Sequence, residues 1–241
     1  RHMKTCSYIA IVVALLSGGL AADEACPRET FGAGHAIDPG QLPASAIKRQ
    51  LDHLPAPARA RALQRLKAVH FHREDCNHLH VDHHGNPFFL CSAPADEVAA
   101  PGAEPVAAPL VAAAGVPVAS GVPVRHSRPG ATNVIYLDFN GATITGTAWN
   151  DSLGRATIEA IAYDTNDDPS TFSDVELTAI DRIWKRVAED FCPFEVDVTT
   201  EEPSTLTLTT VVVQITRNTD ANGDPNPLMN SGGVAYIGVF N

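Results

Sequence analysis

Between Ser173 and Phe191 apolar side chains return every three or four residues, so that Leu177, Ile180, Trp184, Val187 and Phe191 form one stripe of a helix. Ser173 and Glu176 have the spacing of a capping box at its start, and Pro193 ends it. The period then drops to two. Phe194, Val196 and Val198 alternate with Glu195, Asp197 and Thr199, the pattern of a strand with one wet face. Leu206 to Arg217 and Val234 to Phe240 predict two further strands, and Val134 to Gly141 predicts a buried strand that closes in a turn signal. The order strand, helix, strand, strand, strand predicts an α/β (α+β) unit over residues 131–241, a mixed twisted sheet with a helix packed on it.

Upstream, Ala44 to Val69 has helical spacing divided by Pro55 and Pro57, and Leu79 to Leu90 reads as a hairpin turning at His83-His84-Gly85-Asn86. These place a first unit at 23–91. From Ser92 to Gly130 the composition falls to Ala, Pro, Val and Gly with seven prolines and no aromatic residue, which predicts an extended, disordered linker over 92–130. At the start of the chain Lys4 precedes an apolar run from Tyr8 to Leu16 and then small residues through Ala22, with Gly19 and Ala21 placed for cleavage after Ala21. Residues 1–22 therefore read as a signal peptide, too short to span a membrane, and the protein is expected to be secreted.

Charge sharpens the division. Residues 1–130 hold 12 Lys and Arg against 11 Asp and Glu, whereas 131–241 hold 5 against 17. A unit that acidic is not expected to seek nucleic acid or, once the signal is removed, a membrane.

An exported chain can keep disulfides, and Cys76 and Cys91 flank the hairpin, which makes them the favoured pair among Cys26, Cys76, Cys91 and Cys192. Six of the ten histidines, His70, His72, His78, His80, His83 and His84, crowd into the first unit. Their density suits a transition metal, but no fixed metal spacing appears and their alternation is that of a solvated strand face, the preferred reading. Residues 127–241 contain no histidine, so neither a Ser-His-Asp arrangement nor a histidine zinc site can be built there. Asp-x-Asn-x-Asp-Pro occurs twice, at Asp164, Asn166, Asp168 and at Asp220, Asn222, Asp224. Alternate oxygen-bearing side chains in a tight loop converge as calcium ligands do, although Pro169 and Pro225 stand where an EF-hand needs glycine, and Asx-turns would use the same residues.

The segments Tyr136-Leu137-Asp138-Phe139-Asn140-Gly141, Gly146 to Asn150, Asp164 to Phe172, Ile183 to Phe191, Pro193 to Glu202 and Gly232 to Gly238 together resemble the start of the secreted bacterial zinc metallopeptidases of metzincin type. The resemblance implies a metzincin-like N-terminal subdomain in which the sheet and first helix form a scaffold. It implies that zinc, in the full-length protein, is held by a His-Glu-x-x-His-x-x-Gly-x-x-His helix that this sequence does not contain. It also casts 23–91 as a pro-segment whose Cys76 or Cys91 thiol would cap the zinc, in competition with the disulfide. The expected function is thus a secreted zinc-dependent metalloendopeptidase precursor acting on a protein or peptide substrate, here without its catalytic motif. The competing expectation is a non-catalytic extracellular calcium-binding module.

Overall fold

The computed structural model describes residues 29–92, 121–227 and 231–238. The signal peptide, Cys26 and the 93–120 part of the linker lie outside the described residues. Along the chain the elements are β1 (Thr30–Gly32), α1 (Ala46–His53), α2 (Ala56–Lys67), β2 (His70–His72), a 3₁₀ turn (Arg73–Asn77), β3 (Leu79–Val81) and β4 (Pro87–Ser92). There follow β5 (Asn133–Asp138), β6 (Ala142–Thr145), α3 (Ala148–Leu153), β7 (Thr157–Ala160), α4 (Asp174–Phe191), β8 (Val196–Thr199), β9 (Thr210–Gln214) and β10 (Ser231–Tyr236). The fold is mixed α and β, with several small sheets and four α-helices among the described residues. The chain divides into two compact units, one of Arg1–Glu97 with Ser231–Ile237, the other of Val98–Asn230 with Gly238–Asn241.

In the first unit the two helices are separated where Pro55 and Pro57 predict a break, because proline cannot continue the helical hydrogen-bond ladder. Ile47 and Leu51 of α1, Ala62 and Leu66 of α2, Phe71, Leu79 and Val81 close one apolar core, and Ile237 packs on it. The hairpin forms as expected, with Leu79 opposite Phe89 and Val81 opposite Pro87. Its Gly85 has φ +84°, and a Cβ there would come within 2.2 Å of the Ala58 carbonyl, so only glycine lets the turn lie against α2. The strand expected at Val234 to Phe240 begins earlier, at Ser231, and does not join the strands of 131–227. It pairs antiparallel with β4, from Ser231 opposite Ser92 to Tyr236 opposite Phe88, giving the order β10, β4, β3.

The expected disulfide between Cys76 and Cys91 is not made. Cys76 is wholly buried in the core and its thiol donates to the His72 carbonyl at 3.5 Å, whereas Cys91 lies along β4 opposite Gly233. Burial, reinforced by the Asp75 carboxylate, pushes the Cys76 pKa up to about 11, which keeps it a thiol and a poor nucleophile or metal ligand.

In the second unit β5 is the centre of a parallel sheet, with β8 and β9 on either side. The sheet is all parallel rather than mixed, and β6 with β7 forms a separate antiparallel pair. Helix α4 has the predicted limits. Ile180 and Phe191 are buried, and the Trp184 indole donates to the Val198 carbonyl of β8 at 2.9 Å. Strand β8 differs from the expected alternation, since Val196, Asp197, Val198 and Thr199 are all buried. The face expected to be wet is covered by residues assigned to the linker. Ser127 N donates to Val198 O, Val198 N to Ser127 Oγ, and Arg125 N to Thr200 Oγ1, so 123–128 runs along the edge of β8. A Pro- and Val-rich composition thus describes an added edge here and not a linker.

The start of α4 depends on Glu176, which has no exposed surface. Its carboxylate accepts from Ser173 N (2.9 Å) and Ser173 Oγ (2.8 Å) as the capping box predicts, and also from Thr165 N (2.7 Å) and Thr165 Oγ1 (3.2 Å). Burial alone would raise its pKa; the donors outweigh it and hold the carboxyl below the usual glutamate value. Glu176→Ala would strand four donors and is expected to cost about 3 kcal/mol. Urea unfolding read by fluorescence checks this, because both tryptophans, Trp149 and Trp184, lie in this unit.

Candidate functional site

Parallel strands that end side by side form an edge at which sheets of this kind bind ligands. At that edge, the last residue of β5 is Asp138, one charged side chain after the apolar run Val134 to Leu137. Asp138 is 6% exposed, accepts from Asn140 N at 2.8 Å and is hydrogen-bonded by the Tyr136 hydroxyl, two residues back on the same face. Burial pushes its pKa up to about 6, and the negative Glu202 beyond β8 adds to the rise. The same burial drives the Tyr136 phenol well above its ordinary value. Asp138 is therefore a carboxyl that exchanges its proton near neutrality beside a phenol that stays un-ionised, an arrangement able to give or take a proton.

A second cluster lies along β8. His126 Nδ1 is 2.7 Å from Asp197 Oδ2, and its Nε2 is 2.8 Å from Glu201 Oε2. Asp197 accepts as well from Ser127 N and Arg128 N, both at 2.9 Å. The bond to Asp197, with that to Glu201, raises the His126 pKa and favours the imidazolium. With both nitrogens donating to carboxylates this ring is an ion-pair bridge, not a metal ligand. Sequence reasoning gave no role to Asp138 or His126. The signals available were a lone carboxylate in an apolar strand and the charged string Arg125-His126-Ser127-Arg128 inside a Pro- and Val-rich stretch.

The six residues predicted as calcium ligands form two separate loops, each closed by an arginine. In the first, Asp164 Oδ1 accepts from Asn166 N, Asn166 Oδ1 from Asp168 N, and Asp168 Oδ1 from Ser170 N, a ladder of Asx-turns. The other Asp164 oxygen, on a side chain with no exposed surface, lies 2.6 Å from Arg217 Nη2, which also reaches Asp167 at 2.8 Å. In the second loop Asp220 Oδ1 accepts from Asn222 N and Asp224 N, and Asp220 Oδ2 lies 2.9 Å from Arg155 Nη1, with Asp224 at 3.4 Å. Backbone amides and guanidinium groups thus engage both oxygens of Asp164 and of Asp220, the buried carboxylates of the two loops. Among the described residues no group of three or more His, Cys, Asp or Glu side chains could hold a metal ion. The first-unit histidines include two close pairs, His70 with His72 at 5.1 Å between ring centres and His83 with His84 at 3.9 Å, while His80 stacks on Phe88.

Comparison of the chain with protein-family models, with curated proteins and with solved structures gave no match in any of the three.

Two outcomes follow from this geometry. Arg217→Met leaves the Asp164 carboxylate buried without its counter-charge and is expected to lower stability by about 3 kcal/mol, measured by urea unfolding at pH 7. For Asp138 the native pKa, about 6 against 3.8, means that the folded state keeps a proton the unfolded state has lost. Stability therefore falls as pH rises from about 4 to about 6, and the cost persists above. Asp138→Asn, which keeps the acceptor for Asn140 N, is expected to stabilise the protein by roughly 2 kcal/mol at pH 8 and to be near neutral at pH 4, as read by denaturation at the two pH values.

Proposed function

We propose that this chain is part of a secreted zinc-dependent metalloendopeptidase precursor of metzincin type, with residues 23–91 as pro-segment and the unit built on β5 as the sheet-and-helix scaffold of the peptidase domain. The observation that carries the reading is how the motif segments meet. Tyr136 to Gly141 ends the central strand, Ile183 to Phe191 forms the second half of α4, and Pro193 to Glu202 contains β8, which pairs in parallel with β5 from Asn133 opposite Val196 to Tyr136 opposite Thr199. Three of the six segments, spread over about 70 residues of sequence, so belong to one sheet and the helix that packs on it, which supports the reading, whereas Gly232 to Gly238 runs into β10 and pairs with β4.

Zinc is not fitted by the described residues. His126 is engaged on both nitrogens, the Cys76 thiol is buried and protonated, and His-Glu-x-x-His occurs nowhere in the sequence. In this reading the metal ligands belong to a part of the protein other than these residues, and the reaction, hydrolysis of peptide bonds in a protein substrate, has no step assigned here. The calcium-module reading gains no support from the two acidic loops, whose buried carboxylates Asp164 and Asp220 are taken by Arg217, Arg155 and loop backbone amides.

Protein made from the complete gene and secreted by its host is expected to cleave an unfolded protein substrate, to lose that activity with a zinc chelator and to recover it on adding Zn²⁺. Cleavage that a chelator leaves unchanged, or a mature secreted protein that cleaves nothing, would sink the proposal.

A further inference from the structure

The first unit contains a hydrogen bond whose direction is fixed from both ends. Gln50, on α1, takes a bond from Val81 N to its Oε1 at 2.9 Å, and its Nε2 lies 3.0 Å from His80 Nδ1. A backbone N–H only donates, so Oε1 must face Val81 and the amide NH₂ must face His80. An amide nitrogen also only donates, so Nδ1 must accept. His80 is held as the neutral imidazole with its proton on Nε2, and a proton on Nδ1 would set donor against donor.

The surroundings offer that proton little compensation. His80 is half-buried, and burial is the largest influence lowering its pKa. Arg49 on α1 and His78 just before β3 add positive charge, and against them the Asn77 backbone favours the charged ring. From β4 the ring meets Phe88, stacked at 5.4 Å and 19°. Tyr236 of β10 packs against the same Phe88 edge-on at 5.6 Å, and its hydroxyl donates to Asp82 Oδ2 at 3.2 Å. One path of contacts thus runs from Gln50 on α1 through His80 on β3 and Phe88 on β4 to Tyr236 on β10.

We propose that the Gln50–His80 pair is a proton-operated latch: protonation of His80 at Nδ1 breaks the tie between α1 and β3 and loosens the β3–β4–β10 sheet that holds residues 231–237. This inference does not rest on the peptidase reading, since every residue it uses lies in the first unit. The sign follows from linkage. With a folded-state pKa below the ordinary 6.5, the unfolded chain takes up the proton first, so the stabilisation is complete above pH 6.5 and declines as pH falls below it. A neutral exterior keeps the latch closed, and an acidic one opens it.

The test uses the full chain, with amide hydrogen exchange corrected for the intrinsic pH dependence of exchange, and a histidine-ring NMR titration. Between pH 7.5 and 5, Val81 and residues 231–237 are expected to lose about tenfold in protection while α4 keeps its protection. Gln50→Glu puts a carboxylate against Nδ1 and still accepts from Val81 N. It is expected to move the His80 midpoint above 6.5 and to reverse the response, so that acid tightens the sheet. His80→Gln is expected to flatten the response. Unchanged protection in the parent chain overturns the proposal. So does a His80 midpoint that is the same in the parent chain and in the Gln50→Glu variant, a readout that holds even where His80→Gln does not fold.

Discussion

A fully buried carboxylate survives in a folded chain only when donors surround it, and Glu176 carries that requirement for the second unit. Two of its four donors come from Ser173 at the start of α4 and two from Thr165, eleven residues upstream. The capping box starts the helix; the Thr165 bonds decide where the preceding loop must lie. Because α4 begins at that knot and Trp184 reaches Val198, the position of the helix over β8 follows from it. The burial of β8 then calls for the 123–128 edge, whose amides and His126 supply the partners that Asp197 needs.

The same requirement explains the two Asp-x-Asn-x-Asp loops. Residues 131–241, with 17 acidic and 5 basic residues, have few cations to spend. Two of the five, Arg155 and Arg217, are placed against Asp220 and Asp164, their most buried loop carboxylates. In each loop one guanidinium nitrogen serves two carboxylates: Arg217 Nη2 lies against Asp164 and Asp167, and Arg155 Nη1 against Asp220 and Asp224. Composition could not reveal this. The arginines stand about 50 to 65 residues from the aspartates they neutralise, and the loop pattern alone fits an Asx-turn and a cation equally well.

What the sequence made legible is what local chemistry decides. The limits of α4, the break between α1 and α2 and the turn at Gly85 follow from a capping box, two prolines and a glycine, and the structure places each accordingly. Less legible was anything decided by a partner far along the chain. The run from Val234 predicts a strand, but nothing in it says that its neighbour is β4, some 140 residues earlier. The alternation in β8 predicted a wet face because nothing in Glu195, Asp197 and Thr199 announces the segment that covers it. Asp138 stands in the sequence as one member of a motif without a role, and only its burial at the end of the central strand gives it one.

Two histidines show how far the environment, and not the residue, sets the chemistry. His126 stands between two carboxylates that accept, so the folded second unit favours the charged ring. His80 stands between an amide that donates and a phenyl ring, so the folded first unit favours the neutral one. Linkage gives the two opposite signs. The His126 contribution is complete below pH 6.5 and is lost as pH rises through its raised value, whereas the His80 contribution is complete above 6.5 and is lost on acidification. Acid thus strengthens the bond between β8 and its added edge while it weakens the hold of β4 on residues 231–237. A fall in pH therefore loosens the first unit selectively, because burial and an amide donor oppose a proton on His80 whereas two carboxylates accept from His126.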